Sequence, residues 1–199
     1  MSENSIERFA FLGGALCLDF VNTAFRENGA PIWDALEGSR DVVAWGVAAR
    51  LLAPAEAADA HDAGAAFTAA IALREQVYRV FAALAAGEAA DPRALVALDA
   101  AQRDAFAHRR LVAEGRSFRW EWSGAAVDQV RWRVAESASE LLTLGNLDRV
   151  RQCAGEDCTR LFLDTSRGGR RRWCDMSHCG NVAKVRRFRT RHLDGGPPR

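Results

Sequence analysis

Four cysteines near the end of the chain constrain its fold more than any other feature. Cys153 and Cys158 are separated by four residues, Cys174 and Cys179 by four, and the two pairs by fifteen. Two short loops of this kind, facing each other, deliver four thiolates to a soft tetrahedral ion such as zinc. The same sulfurs could form disulfides, hold an iron–sulfur cluster or stand as unrelated thiols. Nothing at the N-terminus resembles a secretion signal, so a reducing compartment is expected and disulfides are disfavoured. Four cysteines can also hold iron; a single zinc is the expected ion. It would be structural, because four protein ligands leave no open coordination position.

A metal also answers a problem of size. From Val150 onward apolar side chains are few, chiefly Leu161, Phe162, Leu163, Trp173, Val182, Val185 and Phe188, and a module this small needs a staple. Leu161-Phe162-Leu163 and Arg172-Trp173 bracket a turn at 164–169, which predicts a β-hairpin between the cysteine pairs. Cys179 is expected in the first turn of a helix reaching about Arg191, with Val182, Val185 and Phe188 packed against the metal site. Lys184, Arg186, Arg187, Arg189 and Arg191 take the other sides of that helix, and Arg170, Arg171 and Arg172 add cations from the turn.

From Arg149 to the end there are 13 Lys/Arg against 5 Asp/Glu, whereas the residues before it carry 14 against 21. The formal net charge of +1 therefore hides a strongly divided molecule. One explanation is a solvated basic tail neutralised by the chain's own acidic part. The sharper one is a surface that tracks phosphates, with these eight cations as DNA contacts.

Arg151-Gln152-Cys153, Leu161 to Ser166, Arg172-Trp173-Cys174 and Cys179-Gly180-Asn181 resemble the CGNR zinc finger, named for the tetrapeptide at its last cysteine. Val182 stands where that motif has arginine. Proteins with this finger commonly carry an N-terminal ABATE domain, and Leu16-Cys17-Leu18-Asp19-Phe20-Val21-Asn22-Thr23 is similar to its opening motif. The resemblance implies a stress-induced transcription regulator, with DNA binding by the finger and sensing by the N-terminal domain. The expected organisation is a sensing domain over 1–148, the finger over 149–193 and a disordered tail over 194–199.

The fold class expected for the whole is α+β: a mainly helical N-terminal domain with a β-hairpin, then the small finger. A first helix runs from after Gly14 to about Arg26, followed by a loop through Gly38. Ser39 caps a helix over 40–52 with Val43, Val47 and Leu51 inward. The central helix covers 65–86 and is apolar over two stripes, so it is mostly buried. Asp91-Pro92 starts another helix. The unbroken alternation Phe118-Arg119-Trp120-Glu121-Trp122 predicts a strand with one buried face, paired with 109–112. A last helix over 125–144 turns Val127, Val130, Val134, Leu141 and Leu144 inward.

Three polar or reactive positions stand out. Cys17 lies on an apolar face and is expected to be a buried free thiol. His61 has no second ligand nearby and is expected on the surface. Arg74 falls within an apolar stripe of the central helix, where a guanidinium needs a carboxylate, a path to solvent or an anionic ligand. Asp19 would be the carboxylate in the first case; in the last, Asn22 would join Arg74 as a contact of a small anion.

No glycine-rich phosphate loop, nucleophile motif or paired histidines occur, so no enzyme is expected. No apolar run approaches membrane length, and a cytoplasmic location is expected. A single finger offers few base contacts, which favours a homodimer on DNA. An acidic protein partner and RNA are the other candidate targets of the finger.

Overall fold

The computed structural model describes residues 9–27, 29–58 and 63–193. His61 and the tail from residue 194 lie outside these, as do the side chains of residues 191–193, Arg191 among them. The chain order is α1 (Leu16–Val21), β1 (Ala24–Glu27), β2 (Ala30–Asp34), α2 (Ser39–Ala48), α3 (Pro54–Ala58), α4 (Gly64–Ala85), α5 (Pro92–Ala107), β3 (Arg109–Glu114), β4 (Ser117–Trp122), α6 (Ala126–Leu144), β5 (Val150–Gln152), β6 (Leu161–Leu163) and α7 (Asn181–Leu193). Among the described residues the strands form three separate antiparallel pairs, β1–β2, β3–β4 and β5–β6. The class is α+β, as expected.

Helix α4 is the axis of the core because its two apolar stripes bury Leu73, Val77, Val80 and Phe81, with α1, α5 and α6 packed around it. Helix α5 begins where Asp91 accepts a hydrogen bond from the Arg93 amide at 2.9 Å, with Pro92 in its first turn. Helix α6 buries Val127, Val130, Val134, Ala138 and Leu141, whereas Leu144 is exposed, contrary to expectation. At the crossing of α2 and α6, a Cβ on Gly46 would stand 2.5 Å from Val130 Cγ2, so the helices meet at a distance only glycine allows.

Several boundaries move. Helix α1 stops at Val21; the end of the expected helix is strand β1 and the expected loop holds β2, the two joined in a hairpin turned at Gly29 in the left-handed region, φ 82°. Gly38, not Ser39, caps α2; the Asp41 carboxylate accepts from the Glu37 and Gly38 amides at 2.8 and 3.0 Å. The β3–β4 hairpin forms between the expected segments, Arg109 opposite Trp122 and Leu111 opposite Trp120, but with a tighter turn than expected, because Ala113 and Glu114 also pair, with Phe118 and Ser117. Its burial does not follow: Trp122 is buried against Ala105 and Trp132, while Trp120 and Phe118 are exposed.

The finger's hairpin is also displaced. Strand β6 pairs with β5, Val150 opposite Leu163, so the first cysteine loop is the hairpin's turn; Arg172-Trp173 forms no strand and touches the loop through the Ala154 amide to Arg172 carbonyl bond at 2.8 Å. Val150 and Leu161 are fully buried and belong to the same core as α1, α4 and α6, although both lie beyond residue 148.

Candidate metal centre and basic helix

Each cysteine pair is held by a tight backbone turn. The first follows β5, and a Cβ on Gly155 would approach Cys158 Cβ at 3.0 Å and the Cys179 and Cys153 sulfurs at 3.5 and 3.6 Å. The second pair spans a π-helical turn, Met176–Gly180, opened by Asp175, whose carboxylate accepts from the Ser177 amide at 2.8 Å. Cys179 thus sits in the turn just before α7, and the helix starts directly from the cluster.

The four ligand sulfurs lie within 4.8 Å of one another. Cys174 Sγ is 3.7 Å from both Cys158 Sγ and Cys179 Sγ. Thiolates at about 2.3 Å from a tetrahedral ion stand about 3.8 Å apart. Cys153 Sγ also accepts from the Cys174 amide at 3.3 Å and the Gly155 amide at 3.5 Å, which supports negative charge on sulfur. Burial raises the Cys179 thiol to about 12, with the neighbouring sulfurs adding to the shift. A cluster of thiols cannot ionise together without a cation, and these residues fit one structural zinc ion. Cys17, by contrast, is fully buried in the main core, where desolvation pushes its thiol up to about 12.

Phe162 lies buried beneath the cluster with the Arg171 guanidinium 4.3 Å over its ring. Arg171 donates to the carbonyls of Trp173 at 3.0 Å, of Leu12 at 3.1 Å and of Cys174. Arg171, expected as a phosphate contact, here serves as a strut between the finger and the segment before α1. Arg170 and Arg172 are exposed, the latter stacked on Trp173.

On α7, Lys184, Arg186, Arg187 and Arg189 are exposed, and the helix carries no acidic residue. Arg186 is paired with Glu156 and, at 3.7 Å, Asp157 of the first cysteine loop. Val182, Val185 and Phe188 are exposed too, so the stripe is not the buried face expected. Val182 helps line a recess of about 340 Å³ with Phe25, Cys158 and Ala183.

The expected anion contacts are occupied from within the chain. The Asn22 side-chain amide donates to the Leu161 carbonyl at 2.8 Å and accepts from the Leu161 amide at 2.9 Å. Buried Arg74 grips both Asp34 oxygens, at 2.7 and 2.5 Å, and reaches Thr23 and Glu75 at 3.1 and 3.0 Å. Its carboxylates are Asp34 and Glu75, not Asp19, which instead accepts from the Gly13 amide at 2.7 Å. Arg26, beside Arg74, was not singled out in the sequence; it is buried over Tyr78 and paired with Glu75 at 3.0 Å. The signal available for this corner was Asn28-Gly29, a hairpin turn pair that would bring Asp34 back alongside β1.

The family model for ABATE, described as "Putative stress-induced transcription regulator", matches residues 14–145. The chain belongs to the ABATE family. The CGNR zinc finger model matches residues 149–192, which include all four cysteines. Neither ABATE nor the CGNR finger is an enzyme family. No curated protein matches the chain. Among the described residues of this ABATE protein, no helix is long and apolar enough to cross a membrane.

Proposed function

We propose that the protein regulates transcription in the cytoplasm by binding duplex DNA through α7, with the zinc cluster fixing that helix and the N-terminal domain as its input end. The observation that carries this reading is a cationic helix, free of acidic residues, that starts directly at the four-cysteine cluster and exposes Lys184, Arg187 and Arg189. Phosphates recognise such a surface by charge and counterion release, and a base-edge contact adds sequence preference. Arg170 and Arg172 extend the surface, and Arg191 would continue it along the helix. Arg186 contributes once phosphate displaces Glu156 and Asp157 from its guanidinium. Cys153, Cys158, Cys174 and Cys179 hold the ion.

An anionic effector at Arg74 would compete with Asp34 and Glu75, and a ligand at Asn22 with the Leu161 backbone. Either displacement would loosen the seam between the N-terminal domain and the finger.

The test is fluorescence anisotropy of the zinc-loaded protein with duplex DNA across a salt series, beside the variant Arg186→Ala/Arg187→Ala/Arg189→Ala. Three lost phosphate contacts should reduce the slope of log K against log salt by about 3. An unchanged slope would overturn the assignment of α7. An acidic protein partner is the second reading, favoured by the exposed Val182, Val185 and Phe188 on the same helix. Competition by duplex DNA separates the two.

A further inference from the structure

The β3–β4 hairpin has two unlike faces. One carries Arg110, Val112, Glu114, Ser117, Arg119 and Glu121, and its charges close on one another: Arg110 with Glu121 at 2.7 Å, and Arg119 with Glu121 at 3.2 Å and Glu114 at 3.5 Å. Such a face is complete in water. The opposite face sets Leu111 against Trp120 and Ala113 against Phe118. Phe106, at the end of α5, joins it through Arg109, whose guanidinium lies 4.3 Å over both the Phe106 and Trp120 rings.

That second face begins in the core and runs out of it. Trp122 at its base is buried against Trp132, but Phe106, Leu111, Phe118 and Trp120 are 52, 59, 68 and 50 % exposed. A two-stranded ribbon is marginal in water without cover on its apolar side. We propose that this face is the contact through which two copies of the chain form a homodimer.

Area and charge both favour a second copy. Aromatic side chains present about 150–250 Å² each, so four large residues exposed to this degree offer about 450 Å² of apolar surface. Doubled across a two-fold contact this is about 900 Å², and neighbouring Ala113 and Arg109 bring it to the roughly 1,000 Å² that a specific interface needs. A self-contact also puts like charges opposite each other, and is tolerated where they are already compensated. Arg109, the cation on this face, is paired with Glu136 of its own chain. Ala113, opposite Phe118, is the small residue of this face and would receive Phe118 of the other copy. This interface is independent of DNA binding.

The experiment is sedimentation equilibrium of the full-length, zinc-loaded protein without DNA, over a concentration series. The wild type should approach twice 21.8 kDa, and Phe118→Ser/Trp120→Ser should sediment as a monomer with unchanged zinc content and far-ultraviolet circular dichroism. Ala113→Arg, which leaves the aromatic residues in place, should also lose the dimer and covers the case in which the double variant misfolds. A wild type that is monomeric at every concentration, or a dimer that survives Ala113→Arg, overturns the proposal.

Discussion

Asn22 uses both ends of its amide on one residue of the finger, the donor and acceptor of Leu161. Replacing it with leucine keeps the branched skeleton but leaves a buried N–H and a buried C=O without partners. The expected loss is about 2–4 kcal/mol of unfolding free energy in urea titration, near the cost of two unsatisfied groups. Asp19 gives a different signature. Burial raises its carboxyl from 3.8 to about 6, against the hydrogen bonds from Gly13 and Leu12 and the charge of Arg171 that pull it down. A folded-state pKa above the unfolded one means that the folded chain holds the extra proton. The stabilisation is full below about pH 4 and is lost as pH rises to about 6. The melting temperature of the wild type relative to Asp19→Asn should therefore fall across that window and stay flat above it.

At the scale of elements, period and capping signals announced α4, α5 and α6, and alternation announced β3–β4. These depend on local spacing, which sequence displays directly. What a period does not reveal is the surface that covers an apolar face. Trp120 and Phe118 alternate like core residues yet face outward, and Val182, Val185 and Phe188 recur along α7 yet stay exposed. Likewise the four ligands are legible from spacing alone, whereas Asp34 as the partner of Arg74 depends on a hairpin whose strands fall in an expected helix end and an expected loop. Arg171 was placed among phosphate contacts by its charge; its three carbonyl partners come from distant or turned backbone that charge cannot foretell. Close packing makes a prediction at the α2–α6 crossing. Gly46→Ala should cost about 1–3 kcal/mol by overpacking against Val130. Pairing it with Val130→Ala should recover part of that loss, measured as non-additivity in a double-mutant cycle.

For the whole molecule, the seam between the family-matched regions is a shared core. Val150 and Leu161 complete the packing of α1 and α4, the Leu163 amide donates to the Gly13 carbonyl at 2.7 Å, and Arg171 reaches back to Leu12. Removing zinc with a chelator should consequently lower the thermal transition of the entire chain by many degrees and keep it single, followed by Trp fluorescence and far-ultraviolet circular dichroism together. Two transitions, with the upper one unmoved by chelation, would mean that the N-terminal region stands without the finger. The placement of β6 across α1 also sets a timetable for synthesis. Until residue 163 has left the ribosome, the groove over α1 has no Leu161 to fill it and Asn22 has no strand to bind. The chain's first hundred and fifty residues must wait, open along one side, for the metal-binding end to arrive.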